Sequence, residues 1–157
     1  MIRQLGIDDL DALEDAAREF YAAAPGLGVF RLDHFRAPWA QILANGSGVI
    51  FADECADGQI HGVIGGVVHR EIYGDRTIAE EFFWFVRQYS RGSGVALYRR
   101  FERWARERGA DEIQMCHLIE SMPAKVARFY QGAGFRAVEV RYAKSLTPPA
   151  QAVRNAA

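Results

Sequence analysis

The stretch QYSRGSGVAL, residues 88–97, decides how this chain is read. An apolar run, EFFWFV (81–86), stands just before it. After it Leu97, Phe101, Trp104 and Ala105 recur at helical spacing. The segment therefore joins a strand to a helix. Gly92 and Gly94 let the backbone take positive φ or approach a ligand closely. The first turn of a helix leaves N–H groups unpaired and carries partial positive charge. With the forked, permanently charged Arg91, these features make an anion site suited to a phosphate or pyrophosphate. The competing reading is a plain connection in which glycine supplies only tightness.

Two nucleotide motifs fit poorly. A P-loop needs G-x-x-x-x-G-K-[ST], and no such run exists. A dinucleotide fingerprint begins at Gly92-Ser93-Gly94, but Leu97 takes the third glycine position.

Working outward, Met1–Leu5 reads as a short strand. Asp8 or Asp9 is placed to cap a helix carrying Leu10, Leu13, Ala17, Phe20 and Tyr21, which Pro25-Gly26 stops. A second helix is expected from about Leu32 to Ala44. The rhythm then turns to strands over Gly48–Cys55, Gln59–Arg70 and Thr77–Val86, the last apolar on both faces like a central strand. Beyond the helix that Gly109 ends, Asp111–Leu118 reads as a strand. Ser121 and Pro123 open a last helix with Val126, Phe129, Tyr130 and Ala133 on its stripe. Gly134 ends it, and Phe135–Leu146 reads as a final strand. This order predicts a mixed α/β (α+β) single domain of about six strands and about four helices.

The bulk numbers suit that reading. The chain has 157 residues, half of them apolar, and a formal net charge of -1. It is long enough for one core and has no global field to draw it to nucleic acid or a membrane. No apolar run approaches membrane-spanning length. Cys55 and Cys116 form no CxxC pair; buried free thiols are expected, as in a reducing cytoplasm.

Arg91-Gly92-Ser93-Gly94-Val95-Ala96 resembles the R/Q-x-x-G-x-G/A motif of the GNAT superfamily of N-acetyltransferases, which holds the pyrophosphate of acetyl-CoA. Val86 stands where the family's central strand usually carries an apolar residue at a bulge. RFYQGAGF (128–135) is similar to the family's second signature. The resemblance covers residues 1–146, implies a central, mixed, mostly antiparallel sheet of about six strands, and leaves 147–157 as a flexible tail.

The resemblance implies the following roles. The backbone around Trp84 and Val86 orients the pantetheine arm and polarises the thioester carbonyl. The amides of residues 91–96 hold the pyrophosphate. Tyr130 matches the usual general acid for the CoA sulfur. Glu80, where several members place a glutamate, is the candidate base, with Glu81 on the opposite face as second choice. Glu80, Phe82, Trp84 and Val86 are expected on one strand face. Two departures stand out. Pro123 replaces a frequent asparagine, and the segment after Gly134 has room for one strand instead of a hairpin. A homodimer completing the substrate wall is the expectation that follows.

Other residues are read as structure. His34, His61, His69 and His117 show no metal-ligand spacing. Trp39, Phe82, Phe83, Trp84 and Trp104 are expected in the core. Arg99, Arg100, Arg103, Arg106 and Arg108 read as a solvated helix face, from which one could meet the 3′-phosphate of CoA. The function expected is acetyl transfer from acetyl-CoA to a primary amine of a small molecule or protein by direct attack, in the cytoplasm. Nucleic-acid and membrane partners are not expected. The alternatives are a non-catalytic acyl-CoA-binding module and an aminoacyl-tRNA-acetylating toxin.

Overall fold

The computed structural model describes residues 1–23, 29–87, 90, 92–118, 123–144 and 146. It divides into two compact units, Met1–Pro123 and Ala124–Ala157. The first contains five strands: β1 (Ile2–Gln4), β2 (Gly48–Glu54), β3 (Ile60–Arg70), β4 (Thr77–Val86) and β5 (Glu112–Gln114). They lie in chain order in one sheet. β1 to β4 are antiparallel neighbours, and β5 joins β4 in parallel. Parallel pairing needs a crossover, here α3 (Ser93–Glu107).

Helices α1 (Glu14–Ala23) and α2 (Leu32–Ala44) cover one sheet face. That core contains Leu10, Leu13, Trp39, Ile50 and Val63, with Phe83 and Phe85 packed against it. The other face is covered by α3. Its Leu97, Phe101, Trp104 and Ala105 meet Val49, Phe51, Ile64 and Ala79, so the stripe expected from the sequence is the one that is buried. The helix sits very close to β3 because that face of the strand is partly bare. A Cβ on Gly62 would come within 3.0 Å of Leu97, and one on Gly66 within 2.8 Å of the Phe101 ring.

Several expectations are corrected. The first helical segment is capped by Asp9, one of the two expected residues, but from the third helical position and not as the N-cap. It begins as a 3-10 helix over Ile7–Leu13 with Gly6 at its N-cap. Asp9 reaches back to accept the Gly6 N–H at 2.8 Å, and Arg3 holds the same carboxylate at 3.0 Å. The buried alanine of α1 is Ala16 instead of Ala17.

β5 is far shorter than Asp111–Leu118. Its ladder with β4 stops at Glu80–Gln114, and two residues on the Cys116 N–H is given to the Glu81 side chain at 3.2 Å. Residues 135–144 and 146 form no strand, so the described residues hold five strands instead of about six. An alternating segment becomes a strand only when a neighbour takes its backbone groups. Here Val138, Val140 and Tyr142 are exposed.

The cysteines are free, but Cys55 is half-buried and Cys116 exposed. Phe82 is not core: it is 51% exposed. The stop at Pro25-Gly26, the Ser121 cap and the tail at 147–157 lie outside the described residues.

Candidate active site

The site is built at the end of β4. Opposite it, β3 carries Gly65-Gly66, and the register slips there: Gly65 faces Phe83, Gly66 faces Glu81, and Phe82 is left without a partner. An extra residue of this kind is a β-bulge, which bends the strand and breaks its alternation. The bulge therefore lies at Phe82, four residues before the expected Val86.

The expected shared face is divided as a result. Glu80 and Phe82 lie on the α1–α2 side, where the Phe82 ring meets Trp39 edge-on at 6.2 Å. Trp84 and Val86 pack on the α3 side. Glu81, as expected, is opposite Glu80.

Beyond the Glu80–Gln114 pair, no strand runs along the β5-facing edge of β4 among the described residues. That edge leads from the two glutamates towards the start of α3. Gly92 is the α3 N-cap with φ of 90°, and a glycine has no side chain with which to cap the first turn. The Ser93 hydroxyl donates to Asp53 at 2.7 Å on β2. This bond is the main reason the Asp53 carboxyl lies below the usual carboxylate range. It turns the Ser93 side chain beneath the helix and leaves its backbone N–H as what Ser93 can offer an anion. Arg91 lies outside the described residues. A left-handed φ disfavours any residue with a Cβ, so Gly92→Ala should cost about 1 kcal/mol in a denaturant titration while keeping the fold.

The end of β4 is fixed from the other side by Arg87, which is 7% exposed. Its guanidinium forks onto Glu19 of α1 at 2.8 and 2.6 Å and donates to the Ile60 carbonyl at 2.9 Å. A buried guanidinium is tolerable only when satisfied in this way. Sequence reading missed this tether, because nothing local links residues 19 and 87.

The two glutamates have different surroundings. Glu80 is partly exposed, and its Oε2 lies 3.3 Å from His69 Nε2. His69 Nδ1 faces its neighbour's carbonyl, the Arg70 oxygen, at 3.0 Å. A carbonyl only accepts, so Nδ1 carries a proton. The contact on Nε2 is then attractive only when the His–Glu pair holds one further proton. Sequence reading passed over His69; the signal that could have found it is its position across a hairpin from Glu80. Glu81, by contrast, is 5% exposed. Burial pushes its carboxyl up to about 7, against a weaker downward pull from the Cys116 N–H.

Tyr130 lies in the second unit, on α4 (Pro123–Gly132). Its ring packs against Phe129 and Phe135, and its carbonyl accepts the Phe135 N–H at 2.9 Å. Gly134, with φ of 87°, ends the helix as expected. Along α3, Arg106 pairs with Glu102 at 2.7 Å, and Arg100 lies over the Phe51 ring at 4.8 Å. Among the described residues there is no metal-binding cluster, and no helix is long and apolar enough to cross a membrane.

In this sheet β4 parts from its parallel neighbour β5 after Glu80–Gln114, and α3 starts from a glycine N-cap. The acetyltransferase (GNAT) family profile matches residues 10–135, and the chain belongs to that family. It is accordingly an N-acetyltransferase with acetyl-CoA as co-substrate. No curated protein sequence matches the chain significantly.

Solved structures share the fold at low identity. One is a predicted acetyltransferase with acetyl-CoA from Clostridium acetobutylicum, with TM-score 0.73, 17% identity, and coverage of 93% of this chain and 96% of that one. Another is an aminoglycoside acetyltransferase from an uncultured soil metagenomic sample, in complex with trehalose, with TM-score 0.72, 17% identity and coverage of 94% and 96%. A third is glucosamine-6-phosphate N-acetyltransferase from Arabidopsis thaliana, with TM-score 0.70, 17% identity and coverage of 94% and 98%.

Proposed function

We propose that the chain moves the acetyl group of acetyl-CoA directly to a primary amine held on the α1–α2 side of β4. The observation that carries this reading is that, among the described residues, no strand pairs with β4 beyond Glu80 on the edge that leads to the Gly92-capped start of α3. The pyrophosphate is assigned to the amides of residues 91–96, where phosphate meets unpaired N–H groups and a positive helix end. The pantetheine arm follows Trp84 and Val86, and strand N–H groups past the bulge polarise the thioester carbonyl.

Glu80 takes the ammonium proton, and the amine nitrogen attacks the thioester carbon. His69, on the solvent side of Glu80, is placed to pass that proton on. The C–S bond breaks, the thiolate of CoA leaves with a proton assigned to Tyr130 on the sequence motif alone, and the second proton of the attacking nitrogen, lost as the amide forms, restores the Tyr130 hydroxyl. The free thiols fit a reducing compartment such as the cytoplasm.

The test is isothermal titration with acetyl-CoA, which needs no knowledge of the acceptor. Micromolar binding is expected. Gly94→Glu should weaken it about tenfold or more, because its Cβ would lie 3.4 Å from Trp84 and Val86, putting bulk and negative charge on the path proposed for the pantetheine arm and its pyrophosphate. An acidic residue suits the first turn of a helix, so the fold should survive this change. No binding at millimolar ligand would reject the reading.

A further inference from the structure

We infer that the acceptor is a primary amine borne on an apolar body of aromatic size, seated on Phe82 beside Glu80. The inference rests on the acetyl-transfer reading and names the substrate class for the same site.

The bulge makes the surface that carries it. A two-for-one bulge sends Phe82 and Phe83 to the same side of the sheet. Phe83 fills the core there, 5.2 Å from Trp39 and 5.9 Å from Phe35. Phe82 is the surplus ring. It stays 51% exposed and is held at one edge by Trp39, which is itself only 5% exposed. An aromatic ring left half in water at mid-strand, on a rigid support, is a ready apolar contact for a ligand.

Glu80 stands two residues earlier on the same face. Two residues along a strand span roughly 7 Å. That spacing suits an ammonium group joined to a ring by a short chain.

Glu80 faces His69, so this patch presents a carboxylate–imidazole pair beside a phenyl ring.

The experiment compares 2-phenylethylamine, kanamycin and glucosamine 6-phosphate as acceptors by release of CoA thiol. In parallel, 2-phenylethylamine binding is followed by tryptophan fluorescence, with and without bound CoA. 2-Phenylethylamine should show kcat/KM at least about tenfold above the other two. Phe82→Ala should raise its KM about five- to tenfold, with kcat and the acetyl-CoA Kd unchanged, and Phe82→Leu should recover most of the loss. A preference for kanamycin or the sugar phosphate would overturn the inference, as would a KM indifferent to Phe82→Ala. Acetyl-CoA binding without 2-phenylethylamine binding would also overturn it while leaving the transferase reading intact. Failure to bind acetyl-CoA would instead remove the transferase reading, and the fluorescence arm would still decide whether Phe82 holds an aromatic amine.

Discussion

Glu80→Gln should lower kcat by about 10²–10³-fold while leaving the acetyl-CoA Kd within about twofold of wild type. A positioned general base commonly contributes that much, and glutamine keeps the shape while losing the proton acceptor. The acetyl-CoA affinity should survive because Glu80 lies on the α1–α2 face, whereas Trp84, Val86 and the start of α3 lie on the other. Steady-state thiol release with an accepted amine measures kcat, and calorimetry measures the Kd. Glu81→Gln is the internal control, since that carboxylate is buried and turned to Cys116. A large fall in Glu81→Gln with Glu80→Gln unaffected would exchange the two roles. Equal retention of activity in both would place the base elsewhere.

Much of the scaffold can be read from the chain because its signals are local. α2 begins and ends where its periodicity and the Asn45-Gly46 stop place it. β4 has the expected bounds, Thr77–Val86. The glycine turn is legible for the same reason: Gly92 needs its left-handed φ whatever lies around it.

What the sequence hides depends on partners distant in the chain. The bulge at Phe82 exists because Gly65-Gly66 on β3 accepts a slipped register, and no pattern within β4 announces that. Strict alternation therefore put Glu80 and Val86 on one face, and a single surplus residue separated them. The short β5 has a similar cause, since the Cys116 N–H goes to a glutamate side chain instead of a strand. The second glutamate shows the same limit. That Glu81 points away from Glu80 follows from periodicity, but its burial does not.

That burial makes the protein's stability depend on pH. The Glu81 carboxyl rises from its ordinary 4.5 to about 7, chiefly through desolvation, with the neighbouring Glu80 charge adding a little. Below the unfolded value both states hold the proton, and the group's contribution to stability is fully present. As pH rises through the folded value, the folded chain must carry a buried charge that the unfolded chain carries in water, and the contribution is lost. A shift of this size corresponds to about 3 kcal/mol. Glu81→Gln removes the titration and keeps an oxygen for the Cys116 N–H. Urea unfolding of both proteins should therefore show the variant gaining about 2–3 kcal/mol on wild type between about pH 5 and about pH 8.5. A stability difference constant over that range would mean that Glu81 ionises freely in the folded chain, through solvent reaching the gap where β5 leaves β4.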